Sequence, residues 1–362
     1  MRILFAGGGT GGHLYPGIAV ADELRRRDPS TVVSFVGTAR GLEARVVPAL
    51  GWPLDLIRSA GLKGKSVGAL ARGLGLLPLS ALDAWRVLSA RQPDVVVGVG
   101  GYSSGPVLLL AALRGIPTMV MEQNTAPGFT NRQLARVVRA AAVSYEETRQ
   151  YFPGTAVVTG NPVRREFLQG LEGAGEAPRD GSKVGVLVVG GSQGARAIND
   201  AMVAAAPHLA ASGRALTITH QTGERDLSRV RDGYAAAGVA ATVEPFFHDM
   251  NVRMRAADVV VARAGASTLA ELTVLGRPAV LVPLPTAADD HQRKNARTLA
   301  EAGAAEVIEE RALTGEALAA RLLALAADAP RRATMAAAAR ALGRPDAAAR
   351  VADRVVALGE GR

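Results

Sequence analysis

The stretch Phe5-Ala-Gly-Gly-Gly-Thr-Gly-Gly-His13 decides how this chain folds. It follows a short apolar segment and leads directly into an amphipathic segment beginning near Pro16, so the sequence predicts a strand, a glycine loop and a helix in succession. Unpaired N–H groups at the start of a helix, together with the positive end of the helix dipole, favour an anion. This first glycine loop, residues 7–12, therefore predicts a site for a phosphorylated ligand.

Two further glycine loops repeat the pattern. The second glycine loop, Gly100-Gly-Tyr-Ser-Ser-Gly-Pro106, closes the apolar run 95–99, and the third glycine loop, Gly190-Gly-Ser-Gln-Gly-Ala195, closes the run 184–189. Continuously apolar runs of this length are typical of parallel strands buried on both faces. Since ligands of such sheets bind at the carboxyl ends of the strands, all three loops predict parts of a ligand-binding site.

Apolar runs of strand length alternate with amphipathic segments of helix length along most of the chain. The predicted strands are residues 2–6, 31–37, 54–58, 94–100, 118–122, 142–145, 156–160, 184–190, 215–220, 241–245, 258–262, 279–283 and 305–309. The predicted helices of the first half are residues 16–27, 67–90, 105–114 and 130–140. This alternation predicts an α/β fold of the doubly wound type, with parallel sheets.

The length of 362 residues exceeds what one core usually supports, so two domains are expected. The alternation pauses around Gly160-Asn-Pro-Val-Arg164, and residues 170–183 carry glycine and charge without an apolar period. We therefore expect one domain at residues 1–161 and another at residues 162–344, with a final helix at residues 345–358 crossing back onto the first. Two α/β halves with glycine turns suggest two similar domains that face one cleft.

Composition narrows the function classes. The absence of cysteine excludes disulfides, cysteine metal ligands and a thiol nucleophile. The formal net charge of +9 predicts an anionic partner, which could be nucleic acid, acidic lipid or a phosphorylated substrate. The N-terminus lacks the elements of a secretory leader, and no apolar segment reaches the ~18–20 residues of a spanning helix, so we expect an unexported chain that does not span a membrane.

The first glycine loop also matches the dinucleotide-binding pattern, with Gly7, Gly9 and Gly12 as its three glycines. That interpretation requires an acidic residue at the end of the second strand to hold a ribose. Here the strand ends in Val36-Gly37-Thr38, without Asp or Glu, so a nicotinamide cofactor loses its strongest support. The position of His13, where the loop meets the helix, favours a functional loop over a plain tight turn.

The motifs taken together resemble one GT-B glycosyltransferase family, the N-acetylglucosaminyltransferases of bacterial peptidoglycan synthesis. The resemblance runs from the first strand to about Gly303 and rests on motifs that occur in the same order: Gly8-Gly-Thr-Gly-Gly-His13, Gly100-Gly-Tyr-Ser-Ser-Gly-Pro106, Glu122-Gln-Asn124, Gly160-Asn-Pro-Val-Arg164, Gly190-Gly-Ser-Gln-Gly-Ala195, His220-Gln-Thr-Gly223 and Arg263-Ala-Gly-Ala-Ser-Thr268. It implies two Rossmann-like domains facing an interdomain cleft, with the donor mainly on the second domain and the acceptor mainly on the first.

The resemblance implies an inverting transfer of N-acetylglucosamine from UDP-N-acetylglucosamine to the 4-hydroxyl of lipid I, the undecaprenyl-diphosphate-linked muramoyl pentapeptide. The product is lipid II, which serves cell-wall growth, cell shape and division. No cofactor and no metal are expected, because the pair Asp289-Asp290 is explained as favourable charge at a helix start and no D-x-D motif stands in a suitable place. Other cell-wall synthesis proteins are candidate partners.

The resemblance also carries the donor site onto this chain. Backbone amides of the third glycine loop and the Ser192 hydroxyl would stabilise the departing diphosphate, and Arg164 would contact phosphate. The backbone of Phe247 would recognise uracil, and Gln292 would contact the donor sugar. The remaining donor contacts are expected in the helix start formed by Ala266, Ser267, Thr268, Leu269, Ala270 and Glu271.

Within that helix start, Glu271 has two interpretations. The resemblance implies that its carboxylate holds the ribose hydroxyls. The pattern Thr268-x-x-Glu271 also fits a capping box, with Ser267 or Thr268 as the N-cap residue, and this would make Glu271 a purely structural cap. We favour the ribose role, because a carboxylate commonly accepts from two vicinal hydroxyls.

On the acceptor side, Thr10, Gly11, Gly12 and Asn124 are implied as contacts to the transferred sugar. The attacking hydroxyl needs a base, and a residue with a pKa near neutrality suits that role. His13 is our first candidate and Glu122 the second, while both could instead orient loops through hydrogen bonds. We expect His208, His220 and His248 to be structural or to face solvent. His291, beside Gln292, is expected to be an exposed histidine at a helix start, with a contribution to the sugar contact as the alternative.

Residues 63–91 predict a membrane-facing surface. Apolar side chains there are interleaved with cations: Leu70, Leu74, Leu77, Leu82 and Trp85 with Lys63, Lys65, Arg72 and Arg86. Such a surface suits peripheral attachment to anionic lipid at the cytoplasmic face of the cell membrane. An ordinary core-facing helix would show a similar pattern.

Two other function classes remain open. Another UDP-sugar enzyme of the same fold, such as a UDP-N-acetylglucosamine epimerase or a glycolipid glycosyltransferase, would leave the second glycine loop and the motif 122–124 unexplained. A nucleic-acid-binding protein would fit the net charge, but its basic residues are scattered instead of massed and aromatic residues make up only 4% of the chain. We therefore expect no nucleic acid partner.

Overall fold

A computed structural model of the chain describes residues 1–59, 67–171, 183–191 and 193–361. The chain forms two compact units. The first unit comprises Met1–Arg164 and Arg344–Arg362, and the second comprises Arg165–Gly343. Each unit contains one parallel sheet with helices packed on it, so the predicted fold class of two Rossmann-like α/β domains is confirmed.

The sheet of the first unit has seven strands in the described residues, and every neighbouring pair is parallel. The strands are β1 (Arg2–Gly7), β2 (Val32–Gly37), β3 (Leu54–Leu56), β4 (Val95–Gly100), β5 (Thr118–Glu122), β6 (Ala140–Val143) and β7 (Ala156–Val158). The helices are α1 (Gly11–Arg27), α2 (Glu43–Ala49), α3 (Val67–Arg91), α4 (Ser104–Leu113) and α5 (Phe129–Leu134). Alternate residues of β1 enter two separate apolar clusters, which shows that both faces of the sheet are buried.

The second unit has a six-stranded parallel sheet in the described residues. Its strands are β8 (Val184–Val189), β9 (Leu216–Gln221), β10 (Ala241–Glu244), β11 (Val259–Ala262), β12 (Ala279–Leu281) and β13 (Ala305–Val307). Its helices are α6 (Arg165–Leu168), α7 (Arg196–Ala211), α8 (Leu227–Ala236), α9 (Met250–Ala256), α10 (Ala266–Leu275), α11 (His291–Glu301), α12 (Gly315–Ala327) and α13 (Ala329–Leu342). The last helix, α14 (Ala347–Glu360), belongs to the first unit, where it packs against α1 and β4.

The strand order puts the glycine loops at the points where each sheet reverses its winding. In the first unit the order is β3-β2-β1-β4-β5-β6-β7, so the winding reverses between β1 and β4. The first and second glycine loops follow these two strands. In the second unit the order β10-β9-β8-β11-β12-β13 reverses between β8 and β11, which the third glycine loop and residues 263–265 follow. Ligands of open parallel sheets bind at such reversal points.

Two predicted helix boundaries are wrong. The helix expected at residues 16–27 already begins at Gly11, with Pro16 inside it, because the N–H groups of His13 and Leu14 both bond to the Thr10 carbonyl. The helix expected at residues 130–140 ends at Leu134, and Ala140–Val143 form strand β6 instead. Pairing with β5 in the buried sheet overrides the helix propensity of these alanines.

Candidate active site

The first and second glycine loops contact each other directly at the reversal point of the first sheet. The Gly8 N–H donates to the Gly100 carbonyl at 3.0 Å. Gly7 and Gly101 both have positive φ, and a Cβ on either would overlap the backbone of the opposite loop. Glycine is therefore required here for the approach of two backbones as well as for backbone conformation.

His13 lies in the first turn of α1, beside the second glycine loop. A Cβ on Gly100 would lie 2.7 Å from the His13 ring, so the bare backbone at Gly100 makes room for the imidazole. The His13 Nδ1 lies 3.3 Å from the Thr10 hydroxyl oxygen. His13, Gly11 and Gly12 are partly exposed and Thr10 is exposed, so these predicted site residues line an accessible surface.

Glu43, which sequence reasoning missed, is bound by the first glycine loop. Its Oε2 accepts from the Gly9 N–H at 2.6 Å, and its Oε1 accepts from the Thr38 N–H at 2.8 Å and the Thr38 hydroxyl at 3.1 Å. The Gly9 N–H is therefore bonded to a carboxylate of the same chain. In the sequence Glu43 is one acidic residue in the first turn of a short helix, a common position that signals nothing further.

Glu122 ends β5 and is 3% exposed. Its carboxylate accepts from the Asn124 N–H at 3.0 Å, the Gly128 N–H at 3.1 Å and the Asn131 side-chain amide at 2.9 Å. Burial raises the pKa of the Glu122 carboxyl, while these hydrogen bonds act in the opposite direction. The geometry favours the interpretation that Glu122 holds the loop carrying the partly exposed Asn124.

Arg164 lies at the end of the Gly160-Asn-Pro-Val-Arg164 motif. Its guanidinium carbon lies 4.8 Å from the centre of the Tyr15 ring, a distance typical of a cation–π contact. Tyr15 belongs to α1, two residues beyond His13. The structure therefore places Arg164 next to the helix that carries the first-unit candidates.

The third glycine loop precedes α7, and Ser192 within it lies outside the described residues. Gly191 and Gly194 have positive φ, and the Gly194 N–H bonds to the Gly191 carbonyl at 3.1 Å. A Cβ on Gly194 would overlap the Thr222 carbonyl. The loop is thus packed closely against the segment that follows β9.

Gln221, the last residue of β9, connects two parts of the predicted donor site. Its side-chain nitrogen donates to the Gly191 carbonyl at 2.9 Å, and its side-chain oxygen accepts from the Phe247 N–H at 2.9 Å. Phe247 is buried, and Arg253 lies 4.0 Å from the centre of its ring. The motif His220-Gln-Thr-Gly223 drew attention to Gln221, but its two partners are distant in sequence and only the fold reveals them.

His220 is buried, so of the two expectations, a structural role or exposure to solvent, the structural role is confirmed. Its Nδ1 lies 2.9 Å from the Tyr234 hydroxyl and its Nε2 lies 3.0 Å from the Asn199 side-chain oxygen. The Asn199 amide nitrogen donates to the Thr222 carbonyl at 2.9 Å and to the Asp226 carboxylate at 2.8 Å. Burial lowers the pKa of His220 to about 3. The neutral ring therefore supports the segment against which the third glycine loop packs.

Helix α10 corrects one expectation about Glu271. The N-cap residue is Gly265, so Ser267 and Thr268 lie inside the helix and neither caps it. The predicted capping box is therefore absent, because the chain becomes helical at Ala266, before either hydroxyl. Glu271, Ala266 and Leu269 are buried, whereas Ser267, Thr268 and Ala270 are partly exposed.

Two side chains hold the loops around α10. The Arg263 guanidinium donates to the carbonyls of Val282 and Pro283 at 3.1 and 3.2 Å and forms an ion pair with Glu310 at 2.5 Å. The Gln292 side-chain oxygen accepts from the Leu284 N–H at 3.0 Å. Gln292 therefore anchors α11 to the segment that follows β12.

The predicted membrane-facing surface is partly described. Lys63 and Lys65 lie outside the described residues, as do the side chains of Leu70, Arg72 and Leu74. Six large apolar side chains of α3 and the neighbouring α4 are exposed to solvent: Leu77, Leu79, Leu82, Trp85, Leu109 and Leu113. The Arg114 guanidinium carbon lies 4.7 Å from the centre of the Trp85 ring. We call these six apolar side chains, together with Arg114, the α3–α4 surface.

Among the described residues, no group of three or more His, Asp or Glu side chains is arranged to hold a metal ion. No described helix combines the length and the apolar content needed to cross a bilayer.

The fold brings the predicted residues together in two sets. In the first unit Thr10, Gly11, Gly12 and His13 follow β1 at the reversal point, while Glu122 and Asn124 follow β5, the neighbour of β4. In the second unit the third glycine loop and α10 follow β8 and β11, which are hydrogen-bonded neighbours. Phe247 joins them through Gln221, and Gln292 stands on α11.

Family models match both units of the chain. The model of the glycosyltransferase family 28 N-terminal domain matches residues 3–143, and that of the C-terminal domain matches residues 185–351. A relative from Anaeromyxobacter sp. (strain Fw109-5) is 53% identical over 357 residues, covering 98% of this chain and 92% of the relative. It is named UDP-N-acetylglucosamine–N-acetylmuramyl-(pentapeptide) pyrophosphoryl-undecaprenol N-acetylglucosamine transferase. A relative of the same name from Myxococcus xanthus is 48% identical over 359 residues, or 99% of this chain and 93% of the relative.

Solved structures show the same similarity. The crystal structure of MurG from Acinetobacter baumannii superposes with a TM-score of 0.80 at 32% identity, covering 98% of this chain and 99% of that one. A UDP-GlcNAc 2-epimerase from Neisseria meningitidis, bound to UDP-GlcNAc, has a TM-score of 0.69 at 13% identity over 99% of this chain and 100% of that one. The second similarity concerns the fold alone.

Proposed function

This chain belongs to glycosyltransferase family 28, among the MurG-type N-acetylglucosaminyltransferases, and we propose that it moves N-acetylglucosamine from UDP-N-acetylglucosamine to the 4-hydroxyl of lipid I. The product would be lipid II. The observation that carries this proposal is 53% identity to a transferase of that name across 98% of the chain. Glycine loops at the reversal point of each sheet support it, because that is where parallel sheets bind nucleotides and sugars.

On the donor side, the proposed contacts belong to the second unit. The third glycine loop and the start of α7 would face the diphosphate, since backbone N–H groups at a helix start stabilise negative charge. Ser192 is proposed as a further donor to that diphosphate. The Phe247 N–H is engaged by Gln221 in this structure, so uracil recognition by Phe247 would use its carbonyl or displace that side chain.

The remaining donor contacts are assigned to the helices that follow β11 and β12. Glu271, buried in the second turn of α10, is proposed to accept from the ribose hydroxyls, and the loss of the capping-box alternative supports this role. Gln292 is proposed to contact the sugar. Arg164, beside Tyr15, is proposed to contact phosphate as a delocalised cation.

The transfer is proposed as a single displacement. The acceptor 4-hydroxyl oxygen attacks C1 of N-acetylglucosamine, the bond from C1 to the UDP oxygen breaks, and the configuration at C1 inverts. His13 would take the hydroxyl proton, because its ring is partly exposed and lies against the second glycine loop. Glu122 remains the second candidate, although its bonds to Asn124, Gly128 and Asn131 favour an organising role.

The lipid-linked acceptor also requires contact with a membrane. We propose that the α3–α4 surface docks on anionic lipid at the cytoplasmic face of the cell membrane, with apolar side chains in the interface and arginines beside the head groups. Attachment of this kind is peripheral. Other proteins of cell-wall synthesis are proposed as further partners.

The test is an assay with UDP-N-acetylglucosamine and a short-chain lipid I analogue in the presence of EDTA. We expect lipid II analogue and UDP in equal amounts, with no loss of rate on chelation, because amides and side chains are proposed to stabilise the diphosphate. Formation of UDP-N-acetylmannosamine without acceptor would instead indicate an epimerase. Absence of any acceptor-dependent UDP release would exclude the proposed transfer.

A further inference from the structure

The Glu43 carboxylate is an internal anion of the first unit. Glu43 is 1% exposed, and its two oxygens accept from three donors on two different loops. A Cβ on Gly8, Gly37 or Gly41 would overlap the Glu43 side chain. The space around the carboxylate is therefore filled, and three glycines are needed to admit it.

This carboxylate bonds to loop positions that contact a nucleotide in the dinucleotide-binding pattern. Gly9 is the second glycine of the G-x-G-x-x-G pattern, the position at which the backbone approaches the pyrophosphate. Here the Gly9 N–H instead donates to Glu43 at 2.6 Å. Thr38 follows β2, where the ribose-binding acid of such folds stands, and both its N–H and its hydroxyl donate to Glu43. Glu43 is therefore bonded to the loop after β1 and to the loop after β2, which hold the phosphate and the ribose in the dinucleotide-binding pattern.

We propose that Glu43 is a positioning residue of the transferase, acting through Gly9 on Thr10 and His13. This rests on the function proposed above. Gly9 has positive φ and a Cβ there would meet nothing within 4 Å, so the space on that side of the loop is open and no packing contact from the described residues replaces the hydrogen bond there. The Gly8 bond to Gly100 holds one side of the loop and the Glu43 bond holds the other. The next residue, Thr10, provides the carbonyl on which the first turn of α1 and His13 are built.

The charge of Glu43 is essential to this role. A carboxylate offers two acceptors, and bonds from N–H groups to it are charge-assisted and short. In Glu43→Gln one carboxylate oxygen is replaced by an amide NH2, which is a donor and cannot accept from the Gly9 N–H or the Thr38 N–H that it faces, so at least one bond is lost with little change of shape. The matched control is Glu23→Gln on α1, where Glu23 bonds to Arg26 and Arg27 at the surface.

The experiment measures kcat, and KM for UDP-N-acetylglucosamine and for the lipid I analogue, in the parent, Glu43→Gln, Glu43→Ala and Glu23→Gln. We expect Glu43→Gln to lower kcat about 10- to 100-fold, because a small displacement of reacting groups costs rates of that order. The KM for the donor should stay at the parent value, as should every constant of Glu23→Gln. Acetate, which fits the space left in Glu43→Ala, should restore part of kcat in a saturable way. A parent-like kcat for Glu43→Gln overturns the proposal, as does a loss that acetate leaves unchanged.

A second readout needs no activity. In ¹⁵N-labelled protein the amide protons of Gly9 and Thr38 should shift upfield in Glu43→Gln and stay unchanged in Glu23→Gln, since hydrogen bonds to a carboxylate move amide protons downfield. If the parent fails to use lipid I while these shifts occur, the proposed function falls and the hold of Glu43 on the loop stands. If the shifts are absent, the role of Glu43 falls whatever the activity.

Discussion

The imidazole of His220 and the phenol of Tyr234 form a buried pair in the second unit, with 2.9 Å between Nδ1 and the hydroxyl oxygen. The two rings meet edge to face at 67°. Burial lowers the pKa of His220 to about 3 and raises that of Tyr234, so both groups are neutral in the folded protein at pH 7. The pair fixes the end of β9, from which the Gln221 side chain donates to the third glycine loop.

This pair predicts acid lability of the second unit. The pKa of His220 is lower in the folded state than in the unfolded state, where it is about 6.5, so the unfolded state binds more protons between pH 6.5 and pH 3. Stability is therefore fully present above pH 6.5 and is lost as the pH falls through that window. Lowering the pH from 7 to 4 should cost on the order of 3 kcal/mol from this group.

Urea denaturation followed by circular dichroism at several pH values measures this loss. His220→Phe should lose about 1–3 kcal/mol at pH 7, because Asn199 and Tyr234 lose a partner, and should show a weaker dependence on pH. His208→Gln, at the exposed end of α7, is the control and should retain the parent slope. An equal slope in His220→Phe would contradict the assignment.

His13 and Glu122 should differ in the pH dependence of transfer. Replacing His13 with Ala should lower kcat about 10²- to 10⁴-fold, as expected for loss of a general base, and should abolish the acidic limb of the kcat profile. Glu122→Gln should lower kcat less and keep that limb, because it disturbs only the loop that carries Asn124. Steady-state rates measured over about four pH units around neutrality, roughly pH 5–9, distinguish the His13→Ala variant from the Glu122→Gln variant. A retained limb in His13→Ala would remove His13 from the role of base.

Gln221 should control donor affinity without contacting lipid I. Gln221→Ala removes the bonds to Gly191 and Phe247, each worth about 0.5–1.5 kcal/mol, so the Kd for UDP should rise about tenfold. Isothermal titration calorimetry with UDP gives this value directly. Gln150→Ala in the first unit, where the side chain bonds locally to the Glu147 carbonyl, should keep the parent Kd. An unchanged Kd in Gln221→Ala would show that the two loops hold their positions without it.

The α3–α4 surface should govern attachment to lipid. Trp85 is 52% exposed and Leu82 is 43% exposed, so replacing both with Ser removes apolar contact area at little cost in stability. We expect co-sedimentation with anionic liposomes at low salt to fall several-fold, about the effect of losing 1 kcal/mol or more. Val252→Ser, on the exposed face of α9, is the matched control. Binding by the double variant at the parent level would place the membrane contact elsewhere.

Local patterns in the sequence predicted the succession of strand, glycine loop and helix, because this succession depends on neighbouring residues. A strand, a glycine loop and a helix follow one another within about a dozen residues, so Gly7 to His13 could be recognised without knowing what lies beside them. The same holds for the third glycine loop. The capping box predicted at Thr268 is wrong. The residue types satisfy the local pattern, but α10 begins at Ala266, two residues before Thr268.

Contacts between distant residues could not be predicted in this way. Glu43 is 34 residues from Gly9, and Gln221 is 30 residues from Gly191 and 26 from Phe247. No spacing rule connects such pairs, because their distance depends on strand order and on the packing of whole elements. Ala140 illustrates the same effect, since a good helix former becomes part of a strand when it pairs with Met119 of β5.

The sequence by itself determined the alternation of strands and helices, the three glycine loops and the family to which the chain belongs, because these depend on residue order and backbone freedom. Tertiary structure alone decided that the first and second glycine loops contact each other, that the third packs against the segment after β9, and which internal group bonds to the first loop. The reason is physical: an unpaired amide takes whatever acceptor the fold brings within reach, and at Gly9 that acceptor is the carboxylate of Glu43.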